Sequence, residues 1–154
     1  RRNNLGFVLK TDLDQGKVYR DKQGDKRVIV VDTMGDLFRV YSVGTIVFCG
    51  GSLVPLGGQN VLEAAAWGKV VFYGLSMEHF LDAKELLEEV GAGIEVRGAA
   101  DLAETGLELL EDPERLRSLG EAGREAVMAK RGSARRNARL IAGLLEGINT
   151  KGWH

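Results

Sequence analysis

The sequence predicts an α/β protein with a parallel sheet, and three observations carry that reading. Short β-rich runs alternate with helical patterns from Phe7 to Val96. Runs such as "VIVV" (Val28–Val31) and "TIVFC" (Thr45–Cys49) are apolar throughout, as strands covered on both faces are. After Val96 the pattern turns wholly helical.

The expected strands are Phe7–Lys10, Val28–Val31, Thr45–Cys49, Val70–Tyr73 and a weaker Gly93–Val96, with helices over Gly35–Ser42, Asn60–Trp67 and Phe80–Val90 among them. A repeated strand, turn and helix implies parallel pairing through right-handed crossovers. Residues Asp12–Lys26 are polar without a firm period and read as a long loop or short hairpin in the place of a crossover helix. The helical remainder divides into Asp101–Leu110, Pro113–Met128 and Ser133–Ile148. Asp112 is the expected N-cap of the second, Pro113 its first helical residue, and Gly132 its stop. Thr150–His154 reads as a frayed tail. Trp67, after three alanines, is expected to pack against the sheet.

Bulk properties set limits. A chain of 154 residues fits one domain, or one lobe of a larger protein, with a real core. A net charge of -1 exerts no general pull toward nucleic acid. The single cysteine, Cys49, lies in an apolar run and reads as a core residue, so neither a disulfide framework nor a Cys/His zinc spacing is present. No signal peptide or apolar run long enough to span a membrane is found. Lys130, Arg131, Arg135, Arg136 and Arg139 spread around their helix, which fits a solvated surface or contact with anionic lipid. Glycine stands out at 21 residues, twice the usual share of about 7%.

Two glycine-bearing loops follow expected strands, where open parallel sheets bind ligands. In "DTMGDL" (Asp32–Leu37), Thr33 and Asp36 have capping-box spacing, with Met34 and Gly35 in the first turn. In "GGSLVPLGGQNVLEAA" (Gly50–Ala65), Asn60 and Glu63 repeat that spacing after Gly57 and Gly58. Glycines running into a helix start suit an anionic phosphate, but they equally suit tight turns and helix caps alone. The GxxxxGK[ST] and GxGxxG spacings are both absent, and Val54 breaks a GxSxG elbow around Ser52. A P-loop NTPase, a dinucleotide dehydrogenase and a serine hydrolase are thereby disfavoured. His79 follows another glycine turn and reads as a packing histidine or a ligand contact.

These residues resemble the 3-deoxy-D-manno-octulosonic acid (Kdo) transferases of lipopolysaccharide synthesis. The resemblance is carried by Asp32-Thr33-Met34-Gly35-Asp36-Leu37, by Gly50-Gly51-Ser52-Leu53-Val54-Pro55, and by Gly57-Gly58, Asn60, Leu62-Glu63 and Ala65. It runs from Val28 through Val96. The family usually has His where this chain has Gln59, Pro at Ala64 and Glu at Asp36. It tends to "GP" and "NF" where Gly74-Leu75 and His79-Phe80 stand here.

The resemblance implies a Rossmann-like fold, the C-terminal, donor-binding half of a two-lobed GT-B glycosyltransferase, as a single α/β domain over residues 1–154. It further implies that the acceptor lobe, with its general base, and the donor lobe's own first strand lie outside this chain. The implied function is metal-independent, inverting transfer of Kdo from CMP-Kdo to a lipid A precursor at the cytoplasmic face of a bacterial inner membrane, with no cofactor and no nucleic-acid partner. This fragment is expected to be soluble and inactive alone. Met34, Gly35, Asp36, Leu37, Gly51, Ser52, Gly57, Gly58, Gln59, Asn60, Glu63 and His79 are the implied donor-binding residues, with Glu63 on the ribose hydroxyls. No catalytic or metal-binding residue is assigned. The alternatives left open are another GT-B transferase or epimerase, and a non-catalytic α/β binding domain.

Overall fold

A computed structural model of the chain describes residues 6–17, 27–130 and 138–143. The chain divides into two compact units, Arg1–Val43 and Gly44–His154.

In the first unit, β1 (Gly6–Leu9) pairs in parallel with β2 (Arg27–Val30), Phe7 opposite Val28 and Leu9 opposite Val30. Helix α1 (Lys10–Asp14) follows β1 directly, so the expected loop begins as a helical turn. Thr11 explains this start: its N–H and hydroxyl both donate to the Asp32 carboxylate, at 3.1 and 2.6 Å, tying the helix to the end of β2. Residues 18–26 of the expected loop lie outside the described residues. Helix α2 (Leu37–Val40) is one turn long and continues as a 3-10 turn over Tyr41–Val43. The expectation that "VIVV" is covered on both faces fails here, since Val28, Ile29 and Val30 are all exposed. Among the described residues, a two-stranded ladder with two short helices has too little apolar surface to cover them.

In the second unit, β3 (Ile46–Phe48), β4 (Val70–Tyr73) and β5 (Gly93–Glu95) form a parallel ladder in that order. The five expected strands are therefore all present, in two ladders. Only β4 is central, and its four residues are essentially inaccessible. Its side chains alternate between faces. Val70 and Phe72 join Val96 and Leu109 in a core flanked by Leu102 of α5 (Ala99–Glu111) and by Leu116 and Leu119 of α6 (Pro113–Lys130). On the other face Tyr73 meets Leu87 of α4 (Leu81–Glu89) across Gly93, where any Cβ would collide with the phenol. Burial holds the Tyr73 hydroxyl well above its ordinary pKa.

Asp112 caps α6 as expected, its carboxylate accepting the Arg115 N–H at 3.0 Å. Two buried glycines of α6 set where it lies: Gly120 rests on the carbonyl of Gly68 and Gly123 on Ala92. Those contacts precede β4 and β5, so α6 covers the amino ends of the strands. The carboxyl ends are left to the loops. Residues 138–143 are helical within the expected Ser133–Ile148, while Gly132 falls outside the described residues. Lys130 and Arg139 are exposed, and Arg131, Arg135 and Arg136 lie outside the described residues.

Helix α3 (Leu62–Ala65) is a single turn, far shorter than the expected Asn60–Trp67. Trp67 accordingly sits in the turn toward Gly68 and is 41% exposed, so it is covered only in part.

Candidate functional site

The loop between β3 and α3 is built from hidden contacts. Ser52 is buried beneath it, donating to the Cys49 carbonyl at 2.6 Å and accepting from the Gly74 N–H at 2.7 Å. Both hydrogen-bonding roles of its hydroxyl thus serve the join between this loop and the one after β4. The Ser52 carbonyl accepts the Ser76 N–H at 2.9 Å. Cys49 is a core residue as expected, and its sulfur accepts the Gln59 N–H at 3.2 Å. Burial pushes its thiol pKa up, in keeping with a core cysteine.

At the turn itself, Gly57 and Gly58 have φ of +77° and +75°. L-residues with side chains adopt that region at a cost of about 1–2 kcal/mol. A second reason excludes side chains: a Cβ on Gly57 would strike the His79 ring, and one on Gly58 the Met77 sulfur. The His79 ring thus packs over Gly57, and the His79 N–H donates to the Gly57 carbonyl at 3.4 Å. Gly51, also at positive φ, faces Leu56 within the same loop.

The expected capping box at Asn60 takes another form. Its side-chain oxygen accepts the Leu62 N–H at 3.1 Å, and its amide donates to Glu63 at 3.2 Å, side chain to side chain. Among the described residues, the N–H groups of Gly58 and Asn60 meet no acceptor. Gly58 is a buried residue and Asn60 an exposed one. A one-turn helix sums few peptide dipoles, so any attraction for an anion here comes from these individual N–H groups.

In the first unit, Thr33 and Asp36 meet directly, hydroxyl to carboxylate at 2.5 Å, rather than as a capping box. Lys10 adds an ion pair to Asp36 at 3.1 Å. The Thr33 hydroxyl, and then Lys10, hold the Asp36 carboxyl below its ordinary pKa. Asp14 chiefly, and Asp36 after it, hold Lys10 above its own. Gly35 stands at φ +87° in open space, Met34 is fully exposed and Leu37 is half exposed. A hollow of about 390 Å³ beside them is lined by Lys10, Asp14, Asp36, Arg39, Val40 and Val43.

Sequence reasoning singled out the glycines, Asn60 and Glu63. It missed Lys10, Thr11, Ser76 and Glu78, which fix the two turns through contacts distant in sequence. No periodicity or spacing marks those residues. No group of three or more metal-ligating side chains occurs among the described residues, and no helix among them is long and apolar enough to cross a membrane.

No family model matches the chain. Similar proteins are nonetheless clear. The 3-deoxy-D-manno-octulosonic acid transferase of Haemophilus influenzae is 39% identical over 121 residues, covering 78% of this chain and 28% of that protein. Its counterpart from Aquifex aeolicus is 42% identical over 92 residues, covering 60% of this chain and 26% of that protein. The crystal structure of the C-terminal CMP-Kdo binding domain of WaaA from Acinetobacter baumannii matches with a TM-score of 0.68 at 23% identity, over 80% of this chain and 62% of that one. The chain thus spans about a quarter of the length of the curated relatives it matches. With those identities and that shared fold, the chain belongs to the 3-deoxy-D-manno-octulosonic acid transferase family and has the α/β fold of its C-terminal lobe.

Proposed function

We propose that the chain binds CMP-Kdo as the donor-binding part of a glycosyltransferase that moves Kdo onto a lipid A precursor at the inner membrane. One observation carries the reading: at the carboxyl edge of the parallel ladder, the Gly58 and Asn60 N–H groups lack acceptors among the described residues, on a turn fixed from below. For buried Gly58 an amide without a partner is costly, and a phosphate oxygen supplies the acceptor. Glu63 stands beside Asn60 with a carboxylate suited to a pair of ribose hydroxyls. Gly51, Gly57, Gln59 and Ser52 act through the shape of this loop, and His79 by packing on Gly57. Taken by itself, the Met34–Leu37 turn, with Gly35 in open space and Asp36 anchored by Lys10, also suits contact with a nucleotide.

The chemistry asked of this chain is recognition. Transfer requires donor and acceptor held together with a positioned base, and none of its carboxylates is assigned that role. Calorimetric titration of the 154-residue chain with CMP and UMP tests the proposal. Saturable binding of CMP, weaker for UMP, with no Kdo transfer to lipid acceptor, is the expected result. Absence of CMP binding, or equal affinity for the two nucleotides, would overturn it.

A further inference from the structure

The glycine turn does not hold itself. Gly57 is gripped on both sides of its residue by the segment after β4: its N–H donates to the Ser76 hydroxyl at 2.9 Å, and its carbonyl accepts from the His79 N–H at 3.4 Å. Ser76 is buried, at 8% exposure, and its own N–H is held by the Ser52 carbonyl. Its hydroxyl donates in turn to the Glu78 carboxylate at 2.8 Å.

A hydroxyl has one proton, and where that proton points decides what the oxygen can accept. With the proton on the line to Glu78, the lone pairs of Ser76 Oγ are left for the Gly57 N–H. Were the proton turned toward Gly57, two donors would face each other and the turn would be pushed outward. Glu78 is exposed and Ser76 is not, so a surface carboxylate sets the polarity of a buried contact. The Glu78 carboxyl lies below its ordinary pKa through its own N–H, then through the Ser76 hydroxyl, so it stays an acceptor at neutral pH.

We propose that Ser76, oriented by Glu78, is the positioning residue of the glycine turn, holding Gly57 so that the next free donors, on Gly58 and Asn60, face a nucleotide phosphate. The inference rests on the nucleotide-binding reading above. It also assigns Ser76 a role distinct from Ser52, whose hydroxyl joins the same two loops deeper down, through Cys49 and Gly74.

The test titrates the full chain and three variants, Ser76→Ala, Glu78→Gln and Glu78→Leu, with CMP and with cytidine. Near-UV circular dichroism confirms folding at the working temperature. Loss of one positioned hydrogen bond predicts that Ser76→Ala weakens CMP by about tenfold while cytidine changes by less than about twofold. Glu78→Gln keeps an acceptor oxygen and stays within about threefold for CMP, whereas Glu78→Leu falls with Ser76→Ala. A merely structural serine would shift both ligands alike or neither, and either result overturns the inference. Should Ser76→Ala not fold, the Glu78 pair decides alone: a loss in Leu but not Gln, confined to CMP, supports the inference, and any other pattern sinks it. If the unmodified chain binds neither ligand, the nucleotide reading itself is wrong and this inference falls with it.

Discussion

Glu63 shows how one side chain can serve two purposes at the residue scale. Its carboxylate accepts the Asn60 amide at 3.2 Å, a contact that helps shape the turn and that glutamine can also make. As a ribose ligand it has a different requirement, because it must accept from two hydroxyls as an anion. Hydrogen bonds to charged groups contribute roughly 1.5–3 kcal/mol, so Glu63→Gln is expected to weaken CMP binding by about tenfold or more. The 2′,3′-dideoxy nucleotide removes the partner instead of the protein group, and the two changes should be non-additive. Calorimetry on the four combinations checks this. Additive losses, or none for Glu63→Gln, would leave Glu63 with the turn alone.

Two helical glycines separate propensity from packing at the scale of the element. Gly106 lies in α5 with only the tip of Ile46 near its missing Cβ, at 3.6 Å, an ordinary contact. Gly120 lies in α6, where a Cβ would overlap the Gly68 carbonyl. Replacing glycine by alanine within a helix ordinarily gains up to about 1 kcal/mol. Gly106→Ala should therefore raise the melting temperature. Gly120→Ala should lower it, because backbone cannot swing aside as a side-chain tip can. Thermal unfolding of the two variants checks the pair, and a stabilised Gly120→Ala would mean that α6 does not rest on the turn before β4.

Acid separates the two units when the molecule is taken whole. Asp32 is held below its ordinary value of 3.8 by the Thr11 hydroxyl first and the Thr11 N–H second. Asp36 is lowered by Thr33, then Lys10. The stability that depressed carboxylates contribute is fully present above 3.8 and is lost as pH falls through their lower folded values. Strand β4 has no carboxylate of its own and is buried on both faces. Hydrogen exchange, corrected for intrinsic rates, should show the Thr11 amide losing protection below about pH 4 while the β4 amides keep theirs. Simultaneous loss in both places would show that the core, and not the Asp32 contact, yields first.

Alternation of apolar runs with helical stretches was enough to locate all five strands, since a parallel strand and its crossover leave periodic marks along the chain. The Asp112 cap and Pro113 start were equally legible, being contacts within one turn. The Gly57–Gly58 turn and its neighbours Asn60 and Glu63 could be marked as a candidate because paired glycines before a capping residue concentrate where backbone turns sharply or is approached closely. Other features are written nowhere in local pattern. That α3 stops after one turn and that "VIVV" stays exposed while "VVFY" is sealed were decided by which surfaces the folded chain could cover, and that Thr33 meets Asp36 directly was decided by the geometry of their turn. Ser76 and Glu78 make the same point at the site: a serine 19 residues away from Gly57 in sequence becomes its hydrogen-bond partner only when β4 brings the two loops to one edge of the ladder.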